Sequence, residues 1–259
     1  MLAGERRIPL LIALLIAADL ALALIPVLDY QAGHPFQRLS NLFNLDTEST
    51  IPTWYSSVQW FCAGAMFALF ATHALRARMR GALSIAALAC ACIVFSIDEI
   101  AEIHERLGSA ADAFMSNGSR DGTALWSTGL WPFLIGIPAI AALAVAVQGA
   151  RHIFLARAPR ALTLLIVGFA VMFTGALVVE LGANLLDAAA PRGGSFLAQV
   201  VVEELMEMLG VTLIAWSASS LLHAYGFELK MPPATPERRA EVTPHPAAAA
   251  CASVRSAGS

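Results

Sequence analysis

"ALSIAALACACIVFSIDEIAEIHERLG", residues Ala82 to Gly108, runs from an apolar segment directly into Asp98, Glu99, Glu102, His104 and Glu105. Its first part has the composition of a bilayer-crossing helix, which needs about 20 mostly apolar residues. A charge held at the bilayer centre costs roughly 2.5 to 3.5 kcal/mol on insertion scales. A membrane helix that ends in four carboxylates and an imidazole therefore points to a functional site near one membrane face.

The rest of the chain agrees with a membrane reading. Of 259 residues, 58% are hydrophobic and only 14% charged, with a mean hydropathy of +0.68, which excludes an ordinary soluble domain. Apolar runs fall at Ile8 to Leu28, Trp54 to Leu75, Ala82 to about His104, Gly129 to Ala150, Ala161 to Asp187 and Phe196 to Tyr225. They predict an all-α polytopic membrane bundle of about six transmembrane helices.

Basic residues sort by alternate loops. Arg6 and Arg7, then Arg76, Arg78 and Arg80, then Arg151, Arg157 and Arg160, then Lys230, Arg238 and Arg239 share one side, which the positive-inside rule makes cytoplasmic. Both termini are then cytoplasmic in a bacterial inner membrane, and residues 29–53 and 106–128 form periplasmic loops. Residues 1–226 make the transmembrane domain. Residues 227–259, rich in Pro, Ala and Ser from Met231 onward, read as a disordered cytoplasmic tail. Arg6, Arg7 and the triplet Ala21, Leu22, Ala23 also permit a cleaved signal peptide, which would change the span count and leave the site. A net charge of −3 without a basic surface excludes nucleic acid as a partner. Cys62, Cys90, Cys92 and Cys251 imply neither a disulfide framework nor a thiolate metal site.

This topology brings acids from three spans to one level. The third and fifth spans run outward and end in Asp98 to Glu105 and in Glu180, Asn184 and Asp187; the sixth runs inward and begins with Glu203, Glu204 and Glu207. At about 100° per residue, Asp98, Glu102 and Glu105 make one stripe, Glu180, Asn184 and Asp187 another, and Glu203 and Glu207 a third. Glu99, His104 and Glu204 lie roughly 60° to 100° off these stripes, and so line the flanks of a cavity, pair with a neighbouring helix or point to the headgroups. Acids at helix ends also sit in the interface simply solvated, but Glu180, Glu207 and Asp98 lie too far inside their spans for that. Asp19 lies deeper still, as a partner to the cluster or as a lone protonated acid, and His34 lies in a periplasmic loop that can approach the cluster.

So many carboxylates need a cation or bound protons. Oxygen donors with one imidazole suit a hard divalent metal cation, with Asp98, Glu102, Glu105, Glu180, Asp187, Glu203, Glu207 and the loop residue Glu48 as candidate ligands. No HExxH motif is present, and the di-iron pattern of two ExxH pairs is not met. His104 and Glu207 are the candidate proton-transfer residues. In "FNLDTESTIPTWYSS", residues 43 to 57, Pro52 suits a helix start with Thr50 or Thr53 as cap, Trp54 and Tyr55 are interfacial anchors, and Asp46 and Glu48 reach the acidic level as lid or ligands.

Three runs, "FNLDTESTIPTWYSS", "SIDEIAEIHERLG" and "VEELMEMLG", together resemble the signatures of a group of uncharacterised bacterial multi-pass membrane proteins. That group carries D-x-E-x-x-x-P-T-W-[YF]-S-S before the second span, L-D-E followed by H-E in the third, and E-E-x-x-E-M-L-G in the last. The matching positions here are Asp46, Glu48, Pro52, Thr53, Trp54, Ser56, Asp98, Glu99, His104, Glu105, Glu203, Glu204 and Glu207, with Ile97 in place of the usual leucine. The resemblance implies that these runs belong to one site and brings no activity with it. A remoter similarity to ceramidase-like membrane hydrolases lacks their paired C-terminal histidines.

Two functional classes follow from the residues, besides a non-catalytic accessory protein. In one, a divalent cation at the periplasmic boundary serves a membrane-embedded enzyme acting on a lipid-like or lipid-linked substrate. In the other the acids belong to a cation or proton transporter, which the third, fifth and sixth spans support poorly: below the cluster they offer Ser84, Thr163, Thr174, Thr212, Ser217 and Ser219 but no ionisable relay. Gly175 and Gly182, seven residues apart, are expected to let a partner helix approach the fifth span.

Overall fold

The computed structural model describes residues 8–47, 49–116, 129–182 and 194–227. Helix α1 is Leu10–Gln31, α2 Gln37–Leu42, α3 Ile51–Arg76, α4 Ala82–Ala101 and α5 Ile103–Ser116. A π-helical segment, Pro132–Gly136, leads into α6, Ile137–Arg157. Helix α7, Pro159–Phe173, leads into a second π segment, Thr174–Val179, and α8 is Gly194–Ala224. No strand occurs among the described residues.

Six helical stretches are long and apolar enough to cross a membrane: Leu10–Gln31, Ile51–Arg76, Ala82–Ala101, Pro132–Arg157, Pro159–Gly182 and Ser195–Ala224. The polytopic helical bundle expected from hydropathy is therefore present, with edges moved by a few residues. The largest move is in the third span, which stops at Ala101 rather than near His104. Glu102 takes left-handed backbone angles (φ 51°, ψ 38°) and ends α4, so α5 starts a new direction.

The bundle is held by close approach of small residues, as expected where lipid removes the hydrophobic drive between helices. Ser57 of α3 and Ser96 of α4 donate to each other's carbonyl oxygens at 2.7 and 2.9 Å. Helices α7 and α8 cross at Gly168 and Gly210, where a Cβ on Gly210 would stand 2.7 Å from the Gly168 carbonyl oxygen. Around these crossings Phe67, Phe70, Ile85, Leu88, Phe154, Leu165, Ile214 and Leu221 fill the interior. The expected close approach is seen at Gly175, where a Cβ would meet the Glu203 carbonyl oxygen at 2.8 Å; among the described residues nothing lies within 4 Å of a Cβ on Gly182.

Candidate functional site

The acidic residues meet in a cavity of about 520 Å³ at the end of the bundle where α4 finishes and α8 begins. Nine carboxylates line it, from Asp46, Asp98, Glu99, Glu102, Glu105, Glu180, Glu203, Glu204 and Glu207, together with His104. The floor is apolar and aromatic, with Trp60, Phe95, Trp131, Met172 and Phe173.

Each acid is delivered by a local feature of its helix. Asp98 sits one turn before the break at Glu102 and bridges it: His104 N–H donates to Asp98 Oδ1 at 2.9 Å, and His104 Nδ1 lies 2.8 Å from Oδ2. The same carboxylate thus caps the start of α5 and orients the imidazole. The His104 ring stands edge-on to Trp131 at 4.6 Å. Gly108, where a Cβ would meet Trp131 Cβ at 2.7 Å, lets α5 lie that close. Burial works against a charged His104, but its bond to Asp98 and the charges of Asp98, Glu105 and Glu180 prevail and raise its pKa above the ordinary value.

Both π segments border the cavity. Pro132–Gly136 contributes Ile135 and Gly136, and Thr174–Val179 contributes Ala176 and precedes Glu180. The second begins where the Thr174 hydroxyl takes the Ala170 carbonyl oxygen at 2.7 Å, a back-bond that bends a helix. The two segments touch where a Cβ on Gly136 would meet Leu177 Cδ2 at 2.8 Å. Such widened turns re-aim side chains and gather at functional sites. Here one aims Glu180, whose Oε1 accepts from Trp131 Nε1 at 3.1 Å. Glu99 accepts from Ser56 Oγ at 3.0 Å, and Glu207 stands in the combined field of Glu204, Glu99, Glu203 and Glu180.

Most of the expected site is gathered here: Asp98, Glu102, His104, Glu105, Glu180, Glu203 and Glu207 all line the cavity. Glu48, Asn184 and Asp187 fall outside the described residues. Two expectations change, those for the third-span stripe and for His34. The stripe of Asp98, Glu102 and Glu105 assumed one continuous helix, and the break at Glu102 replaces it with two elements facing one hollow. Of the alternatives for Glu99 and Glu204, off the stripes, the cavity lining is the one observed. His34 does not approach the cluster and instead pairs with Asp29 at 2.7 Å beside a separate cavity of about 260 Å³.

Trp131, Ser56 and Asp46 complete the surroundings. Trp131 has no sequence signal, since its role depends on a contact 49 residues away. No three His, Cys, Asp or Glu side chains among the described residues are positioned together as a metal-ligand group. The reason is visible for three of them: Asp98 is engaged by His104, Glu99 by Ser56 and Glu180 by Trp131.

No curated protein and no solved structure matches the chain. A family model does, over residues 8–222, and the chain belongs to that family, described as a domain of unknown function, DUF8692.

Proposed function

We propose that this DUF8692 family member is a multi-pass protein of the bacterial inner membrane and a divalent-cation-dependent enzyme acting on a lipid-like or lipid-linked substrate at the periplasmic boundary. One observation carries the reading: among the described residues, nine carboxylates and one imidazole line a single cavity. Such a concentration of negative charge at low dielectric needs bound cations or protons. The donors, carboxylate oxygens, fit magnesium, manganese, calcium or ferrous iron by chemistry. Asp98, Glu99 and Glu180 are engaged by His104, Ser56 and Trp131, so a bound cation would have to draw the cavity acids together around it. A bound cation supplies polarisation of a carbonyl or phosphoryl oxygen and an acidified water.

The chain's own residues supply the remaining functions. Asp98 holds His104 Nδ1 and leaves Nε2 as the ring's proton-transfer atom, the arrangement a general base requires. Asp98 thereby serves the imidazole in preference to the cation. Trp60, Phe95 and Phe173 beneath the acids offer an apolar floor for the lipid-like part of a substrate.

Elemental analysis of detergent-purified protein beside Glu207→Gln and Asp98→Asn tests this reading. The wild type should carry a divalent metal, Glu207→Gln should lose most of it, and Asp98→Asn should keep it while losing turnover. Chelation should lower the melting temperature of the wild type, and acidification should shrink that difference. Identical melting curves with and without chelator, in a preparation shown to begin with bound metal, would overturn the cation site.

A further inference from the structure

Away from the cavity, Asp19 in the middle of α1 is fully buried, at 0% exposure. Its partners come from two other helices: Tyr55 Oη at 2.7 Å and Gln59 Nε2 at 3.0 Å from Oδ1, and Thr212 Oγ1 of α8 at 2.8 Å from Oδ2. No ion pair to Asp19 occurs among the described residues.

Hydrogen atoms in this knot do not suffice for an ionised Asp19. Tyr55 has one hydroxyl proton, yet its Oη lies 2.7 Å from Asp19 Oδ1 and 3.1 Å from the Leu15 carbonyl oxygen. Gln59 Nε2 has two protons and three oxygen neighbours, Asp19 Oδ1 at 3.0 Å, Tyr55 Oη at 2.9 Å and Thr212 Oγ1 at 2.8 Å. Thr212 has a single proton, facing Asp19 Oδ2. Six short contacts therefore share four protons. In addition, Gln59 Oε1 is buried without any donor, although the residue is only 4% exposed. The knot is short of donors, a deficit that one more proton relieves.

We propose that Asp19 is a proton-binding site inside the membrane, its bound proton donated from Oδ1 to Tyr55 Oη so that the Tyr55 hydroxyl can donate to the Leu15 carbonyl oxygen. This proton joins α1 to α3 while the Thr212 hydroxyl joins it to α8, the two helices that also carry Trp60, Glu203 and Glu207 to the cavity. A sodium ion fits less well, because Gln59 turns its amide nitrogen toward the carboxylate and a metal ion wants oxygen there. On the two helices that reach Asp19 the ionisable side chains are Tyr55, Cys62, His73 and Arg76 of α3 and Glu203, Glu204, Glu207 and His223 of α8, of which Tyr55 bonds to Asp19; Glu99 of α4 is linked to α3 through Ser56 and Trp60. The site does not depend on the cavity binding a metal.

Infrared difference spectroscopy of the purified protein near neutral pH tests the proposal. The wild type should show the carbonyl stretch of a protonated carboxylic acid that vanishes in Asp19→Asn and survives in Glu207→Gln. Tyr55→Phe, which removes the acceptor of that proton, should displace the band without abolishing it. A band of full intensity in Asp19→Asn overturns the proposal. Should that variant fail to fold, an undisplaced band in Tyr55→Phe does so, as does a carboxylate band that responds to sodium in place of the acid band.

Discussion

Asp98 spends both carboxylate oxygens on a single residue, His104, across the break between α4 and α5, and that choice makes the pair sensitive to pH. His104 binds its proton more tightly folded than unfolded, so the pair stabilises the fold fully below the ordinary histidine value and the benefit fades as pH rises through the folded value. Asp98→Asn keeps an oxygen for the His104 N–H and removes the charge. In the chelated protein it should cost roughly 1 to 3 kcal/mol at mildly acidic pH and clearly less at alkaline pH, as read by thermal melts; an equal loss at both would mean that the cap alone matters. Glu102 poses a separate question, since its left-handed conformation costs an L-residue roughly 1 to 2 kcal/mol. Glycine removes that cost while returning roughly 0.5 to 1 kcal/mol through the unfolded chain. Glu102→Gly should therefore leave the melting temperature unchanged or slightly raised, and Glu102→Val should lower it. If Glu102→Gly is the more damaging of the two, the side chain and not the backbone sets the break.

At the scale of elements, close approach between helices decides which glycines can be changed. A Cβ at Gly210 would stand 2.6 Å from Met172 Cβ and 2.7 Å from the Gly168 carbonyl oxygen, and neither can yield without moving α7. Gly210→Ala should destabilise the bundle by roughly 1 to 3 kcal/mol, as overpacking does, whereas Gly182→Ala, which meets no described residue within 4 Å, should leave detergent melting curves unaltered. Reversal of that order would refute the crossing at Gly168 and Gly210. Spacing alone put Gly175 and Gly182 on one stripe, and it could not reveal that only Gly175 faces Glu203 and Met206 of α8. The same limit hid the two π segments: a widened turn needs no special residue, and Thr174 is the single local hint. The break after α4 was equally hidden, because Glu102 is neither Gly nor Pro and the stop depends on Asp98 reaching ahead to His104. Tyr55, read from its position as an interfacial anchor, turns inward to Asp19. Its neighbour Trp54, 62% exposed, keeps the outward position expected of an anchor.

Across the whole molecule, the apolar runs were readable because bilayer thickness imposes a length that few other constraints mimic. The meeting of Asp98, Glu180 and Glu207 was readable because alternate spans run in opposite directions, which returns the end of one helix to the level of the start of another. What no run of residues could reveal was the contact between Gln59 and Thr212, 153 positions apart, that ties α3 to α8 beside Asp19. Orientation in the membrane is the remaining global property, and charge governs it. Arg76, Arg78 and Arg80 lie at the α3–α4 turn, and Arg151 and Arg157 in the last two turns of α6 with Arg160 at the start of α7, both groups at the end of the bundle opposite the acidic cavity. The positive-inside rule retains such loops in the cytoplasm, which would leave the cavity facing outward. Reporter fusions ending after Arg80, Arg160 and Arg239 should therefore be active only with a cytoplasmic reporter, and fusions after Asp46 and Gly118 only with a periplasmic one. A periplasmic signal after Arg160 would invert the bundle, turn the cavity toward the cytoplasm and require its substrate to be sought on the inner leaflet.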